Sequence, residues 1–322
     1  MNSSSSAGSA ATAPSPERRT QLHGIIPYLV TPVDQASGRL SLRVEVLTEL
    51  CEYLIGTGVH GLSPLGSTGE FAYLPQQLQV QVVRTVVAAS GGRVPVVPCV
   101  GAFATASAIE QAQAFEAAGA DALVVILQEY FPISVQQTVR FFQTVADSVT
   151  VPICIYTNPG TLGSALPLEA IQEISKHPMI QYIKDASTNT GRILSILNAC
   201  DGRIQVFSAS AHVPALVFAL GGVGWMAGPA AIAPRECLRL YELAKANDWS
   251  ATMRLQRNLW QLNEAFAKYS LAASMKAALT LQGFDVGLPV APQVGLSGDA
   301  IAHIQRILEA VVTTSDYPAK DK

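Results

Sequence analysis

The stretch "SAIEQAQAFEAAGADALVVILQEY", residues 107–130, changes character at its single glycine. Before Gly119, the residues Ile109, Ala112, Phe115 and Ala118 recur at helical spacing on one face, and Ser107 and Glu110 are spaced as a capping box. After it, "ALVVILQEY" is apolar at consecutive positions, not alternate ones, which suits a strand covered on both faces. Gly119 sits where a helix would end in a left-handed cap. A helix that passes through glycine into a doubly buried strand is the building unit of a parallel α/β fold.

The unit recurs along the chain. Runs rich in Val, Ile and Leu occupy 24–32, 58–66, 94–101, 122–130, 151–159, 180–187, 204–210 and 222–230, with helical periodicity between them. "GTGVHGL" and "LGGVGWM" repeat the glycine exit. Eight alternations predict a TIM (β/α)8 barrel over residues 22–246. From residue 247 to 322 only helical patterns follow, predicting a C-terminal helical extension. Residues 1–21, rich in Ser, Ala and Pro with no apolar h-region, read as a disordered tail.

Composition narrows the partners. Twenty-one Lys and Arg against 24 Asp and Glu leave a net charge of −3, with no basic block, so neither nucleic acid nor an anionic membrane surface is the expected partner. No apolar run reaches the ~18 residues of a membrane-spanning helix. The five cysteines are scattered through mostly apolar runs, as reduced thiols of a cytoplasmic protein would be. The five histidines show no ligand spacing, and no metal is expected. His60 and His212 read as solvated or core side chains. The glycines of "LGGVGWMAG" form no phosphate-binding motif and read as packing glycines.

In a TIM barrel the chemistry lies at the C-terminal ends of the strands. "IQYIKDAS" places Lys184 near the end of the sixth run. A lysine held in an apolar barrel mouth loses solvation, so its neutral amine becomes available to attack a carbonyl. The plain alternative is an ion-pair lysine with Asp185 or Glu129 as partner. "PLGSTGEFAYL" after the second run offers Ser67 and Thr68 hydroxyls and free backbone N–H groups for a carboxylate. Tyr130 and Tyr156, near the ends of the fourth and fifth runs, carry phenols that can move protons or can simply be aromatic plugs.

Taken in order, "GSTGE" (66–70), "YTNP" (156–159) and "IKDAS" (183–187) resemble the dihydrodipicolinate synthase and N-acetylneuraminate lyase family of class I, pyruvate-handling aldolases. The resemblance spans roughly residues 22 to 315. It implies that Lys184 is the Schiff-base lysine and Tyr156 the acid/base tyrosine, with Ser67 and Tyr130 completing a proton relay. Tyr130 would reach into a neighbouring subunit's site. Ser67 and Thr68 would hold the keto-acid carboxylate, and backbone near Ala209 and Met226 would line the pocket. It implies no cofactor, and a homotetramer built as a dimer of dimers. The reaction would join or split pyruvate and an aldehyde. Loss of water or ammonia through the same enamine, dihydrodipicolinate synthesis itself, and a catalytically silent keto-acid binder stay open as alternatives.

One departure stands out. Dihydrodipicolinate synthases carry an arginine after the strand-five tyrosine, in a pattern like Y-N-x-P-x-R-T-G, where this chain reads "YTNPGTLG" with Thr161 in its place. Arg192, early in the next helical segment, is the nearest substitute by sequence.

Overall fold

The computed structural model describes residues 21–36, 38–159, 165–209 and 213–313. Seven strands, all parallel, form one sheet: β1 (Gly24–Pro27), β4 (Cys99–Ala102), β5 (Leu123–Leu127), β6 (Ile153–Thr157), β7 (Ile180–Asp185), β8 (Gln205–Ser208) and β9 (Gly224–Ala227). They lie in the order β1-β9-β8-β7-β6-β5-β4, so the first strand pairs with the last. Segment 60–64 fills the gap between β1 and β4. On one side His60 N donates to Ile25 O (2.8 Å) and Ser63 N to Pro27 O (3.0 Å); on the other, Leu62 N donates to Pro95 O (2.9 Å) and Val97 N to Leu62 O (2.8 Å). The barrel therefore closes with eight staves, the second held by isolated bridges. Prolines 64, 95 and 98 explain why no regular ladder forms there: each removes a backbone donor.

The runs read from the sequence become these staves, and each is followed by helix on the outside of the barrel. β5 and β6 are buried at every position, as continuous apolar strands between interior and helices must be. In the opening stretch the helix is α3 (Thr105–Ala117), with Ala112 and Phe115 fully buried. Covering Phe115 is worth about 1.5–3 kcal/mol. Gly58, Gly119 and Gly221 take positive φ at helix exits, as expected. Gly224 meets a harder constraint: a Cβ there would lie 2.2 Å from Gly24 O.

Two local expectations need correction. The capping box at Ser107 and Glu110 does not form, because α3 begins three residues earlier than that box requires, at Thr105, with Ala104 as a cap lacking any side-chain bond. A box does form at Ser134 and Gln137, where Ser134 Oγ accepts from Gln137 N (3.2 Å) and Gln137 Oε1 from Ser134 N (2.7 Å). The hairpin β2 (Val33–Ala36) and β3 (Arg39–Leu42) was not anticipated. It docks on the C-terminal region through Arg43, which pairs with Asp34 (2.6 Å) and Asp285 (2.7 Å).

After the helix Pro234–Lys245 come the helices Trp249–Lys268, Leu271–Leu281 and Gly298–Thr313. Among the described residues, no helix is long and apolar enough to cross a membrane. The helix Leu271–Leu281 reaches the barrel mouth. Its Lys276 Nζ lies 2.7 Å from Glu70 Oε2, with both side chains almost wholly buried, and donates to Leu288 O (2.8 Å). Glu70 Oε1 accepts from Val290 N (2.7 Å) and Gln293 Nε2 (3.0 Å). Glu70 thus fastens the "GSTGE" loop to the extension.

A buried pair stripped of one member leaves an uncompensated charge. Lys276→Met is expected to lower the unfolding free energy by about 3–5 kcal/mol, with Glu70→Gln added to it restoring part of that. Denaturant melts of the two variants read this directly; a loss in Lys276→Met below about 0.5 kcal/mol, ordinary for a surface change, would show that the pair does not hold the loop.

Candidate active site

β6 and β7 are in register with Tyr156 opposite Lys184, so the sheet itself sets the phenol beside the amine. Lys184 is 5% exposed, and its Nζ lies 4.0 Å from the centroid of the Tyr156 ring and 4.0 Å from that of Tyr28, the residue after β1. Burial draws the amine down to about 8, against the pull of Cys99 and Cys154 nearby. About one amine in ten is then neutral at pH 7, against fewer than about one in a thousand for an ordinary lysine. Among the described residues no carboxylate pairs with Lys184.

The ion-pair alternative fails on geometry. Asp185, fully buried, is engaged elsewhere: its Oδ1 accepts from Ser187 N (2.7 Å) and its Oδ2 from Arg192 Nε (2.6 Å). Arg192 also donates to Leu166 O, and Leu166 N donates to Thr157 Oγ1 (2.9 Å). These bonds tie Leu166 to the ends of β6 and β7. Arg192 thus has its Nε and one terminal nitrogen engaged by Asp185 and Leu166. Thr161 and His212 lie outside the described residues.

Tyr156 is buried, and burial pushes its phenol well above the ordinary value, so it stays protonated at neutral pH. Its oxygen accepts from Asn158 Nδ2 (3.0 Å), leaving the phenolic proton free to be given. No bond joins it to Ser67.

The "GSTGE" loop packs as two 3-10 turns, Ser67–Gly69 and Phe71–Tyr73, hinged at Glu70 with φ +56°. Gly66 has ordinary φ but no space: a Cβ would lie 2.2 Å from Tyr28 Cδ1. Thr31 Oγ1 donates to Gly69 O (2.7 Å), pinning the loop from below. Ser67 is exposed and Thr68 buried. Ala209 and Met226, at the ends of neighbouring strands, are buried in the same barrel end.

Tyr130 stands apart. It is 81% exposed on the rim, its ring edge-on to Phe131 at 4.9 Å, beside a cleft of about 380 Å³ lined by Ser67, Phe71, Phe103, Ile126 and Leu271. That cleft is lined by neither Lys184 nor Tyr156. The structure thus joins Lys184 to Tyr156, places Ser67 and Thr68 on the loop above, and leaves Tyr130 outside within one chain. Sequence reasoning missed Tyr28 and Asn158. The apolar company of Tyr28 in "GIIPYLVTP" gives no sign of the neighbour its ring meets.

No group of three or more His, Cys, Asp or Glu is gathered as a metal site among the described residues. All five cysteines are buried free thiols.

Comparison with known proteins agrees with this arrangement. The model of the dihydrodipicolinate synthetase family matches residues 21–311. A 4-hydroxy-tetrahydrodipicolinate synthase of Acidiphilium cryptum is 33% identical over 273 residues, 84% of this chain and 92% of that one. An uncharacterized DapA-like lyase of Halobacterium salinarum is 30% identical over 284 residues, 88% of this chain and 92% of its own. The crystal structure of dihydrodipicolinate synthase from Agrobacterium tumefaciens superposes with a TM-score of 0.83 at 25% identity, covering 90% of this chain and 98% of that one. With a buried lysine amine at the mouth of a closed barrel and a match over nearly its whole length, the chain belongs to the dihydrodipicolinate synthetase family and is a class I, pyruvate-dependent aldolase or lyase.

Proposed function

We propose that this enzyme makes or breaks the carbon–carbon bond between pyruvate and an aldehyde, taking a 2-keto-4-hydroxy acid in the cleavage direction. The observation that carries the reading is Lys184 Nζ, buried between two phenol rings with no carboxylate against it. In the cleavage direction the Nζ lone pair adds to the C2 carbonyl, and a proton from the amine moves to the oxygen. Tyr156 protonates the resulting hydroxyl, which leaves as water, giving a cationic iminium and a phenolate. The phenolate takes the proton of the C4 hydroxyl as the C3–C4 pair flows into the iminium, releasing the aldehyde and leaving a neutral enamine. Protonation at C3 and addition of water then return pyruvate and the free amine. The iminium itself is the electron sink, so no cofactor enters.

Ser67 and Thr68, with the N–H groups of their loop, take the keto-acid carboxylate. Tyr130, together with the exposed Phe131 and Phe103, reaches a second copy of the chain, and we assign the assembly as a homotetramer. Several relatives are named for dihydrodipicolinate synthesis, yet Thr161 stands where that reaction's arginine would be, and Arg192 is committed to Asp185. The aldehyde presents a neutral or hydroxylated group there.

Incubation with pyruvate followed by borohydride reduction is expected to leave a mass adduct on Lys184, forming faster as pH rises toward about 8. Lys184→Ala abolishes adduct and turnover with the melting temperature unchanged or raised, since a buried amine gives way to an apolar group. Retained turnover in that variant would move the chemistry to another residue.

Tyr156→Phe keeps the ring and is expected to lower turnover by about 10²- to 10⁴-fold, the range of a general acid or base. Adduct formation slows but persists. Unchanged kcat would remove the hydroxyl from the proton path.

Aspartate semialdehyde is expected to be a poor acceptor for pyruvate, because losing a charged contact costs roughly 1.5–3 kcal/mol, about one to two decades in kcat/KM. An efficiency near ~10⁵ M⁻¹s⁻¹, usual for a native substrate, would overturn the exclusion. A panel of 4-hydroxy-2-keto acids, keto-deoxy sugar acids and hydroxypyrroline carboxylates, assayed for pyruvate, ammonia and dehydration, identifies the bond that is cut.

A further inference from the structure

We propose that Tyr28 is a positioning residue for the reactive amine, its ring face holding the cationic forms of Nζ, the ammonium before reaction and the iminium during it, inside the dry barrel. The inference rests on Lys184 being the Schiff-base lysine.

Three observations carry it. The Tyr28 ring lies at the same 4.0 Å from Nζ as that of Tyr156, so the amine is held between two π faces. Tyr28 is buried, and its hydroxyl, with Ser63 near it, makes no hydrogen bond of normal geometry, so ring packing does most to hold the side chain. The ring is also wedged against the "GSTGE" loop, where Gly66 leaves just the room it needs. A face that cannot rotate away remains opposite Nζ throughout the reaction.

The charge balance around Nζ gives the face its purpose. The titratable groups facing it are Tyr28 just after β1, Cys99 from β4, and Cys154 and Tyr156 from β6, and burial pushes all four upward, keeping them neutral. Asp185, next in the chain, is bound to Arg192. With no anion among the described residues against Nζ, the positive charge of the iminium has aromatic quadrupoles and thiol dipoles for support. A desolvated cation over a ring is stabilised on the order of tenfold or more in equilibrium terms.

The test compares wild type with Tyr28→Phe, which keeps the face, and Tyr28→Leu, which removes it. Lys184 acetylation by acetic anhydride, followed against pH by peptide mass mapping with no keto acid present, reads the amine alone. Adduct trapped with pyruvate at fixed concentration reads the iminium. Tyr28→Phe is expected to match wild type in both. Tyr28→Leu is expected to titrate about one pH unit lower and to hold about tenfold less iminium.

An acetylation midpoint that stays put in Tyr28→Leu, or rises because water enters where the ring was, overturns the proposal. Wild type that acetylates normally but traps no 2-keto acid defeats the Schiff-base reading, while the acetylation arm still judges the ring. If Tyr28→Leu does not fold, Tyr28→Met, unbranched and able to fill the gap, carries the same comparison.

Discussion

An amine buried in the mouth of a barrel, with no carboxylate to neutralise it, is the constraint on which the rest of this end of the molecule depends. Desolvation disfavours its charge, and the fold answers with neutral, polarizable neighbours in place of anions. That choice propagates outward. Asp185, adjacent in sequence, would quench the amine if it turned inward; instead the backbone of Ser187 and the guanidinium of Arg192 hold both its oxygens. Arg192 in turn bonds to Leu166, in the connection after β6. The reactivity of one nitrogen and the anchoring of a loop are parts of one electrostatic arrangement.

The second arrangement is the buried pair of Glu70 and Lys276. It joins a loop after the second stave to a helix more than 200 residues later, so the helical extension supports the "GSTGE" loop and is not an appendage. Such a pair contributes little net stability compared with apolar packing, because both charges lose water. What it supplies is direction: a carboxylate that accepts from Val290 and Gln293 and faces Lys276 holds the left-handed backbone at Glu70 in one orientation, and Ser67 and Thr68 with it.

How far the sequence revealed this depends on whether the signal was local. Doubly buried strands are visible because every position of Leu123–Leu127 and Ile153–Thr157 must be compatible with burial, and the three motifs sit at strand ends where a barrel puts its chemistry. Lys184 beside Tyr156 follows once β6 and β7 are neighbours. What stayed hidden depended on partners distant in the chain. Tyr28 looks like one more core aromatic until the barrel curls it over Lys184. Arg192 looked available until Asp185 was seen to hold it. The box at Ser107 and Glu110 had the right spacing but the wrong start, because spacing alone does not say which turn is first; Ser134 and Gln137 satisfied the same rule with the geometry to match. The hairpin of β2 and β3 owes its place to contacts with residues 285–291, which no local pattern announces.

The first glycine of the "GSTGE" loop carries one more meaning. Gly66 has φ −77° and ψ −172°, a conformation open to any residue, so the requirement for glycine comes from the Tyr28 ring alone. Positions 28 and 66 are therefore sterically coupled, and the order in which they change matters. A side chain at 66 is blocked while Tyr28 stands, whereas a small residue at 28 would first open a hollow beneath the loop that a methyl or hydroxymethyl at 66 could then occupy. The aromatic floor under the lysine and the bare backbone above it constrain each other, and a lineage that gave up one would be freed to alter the other.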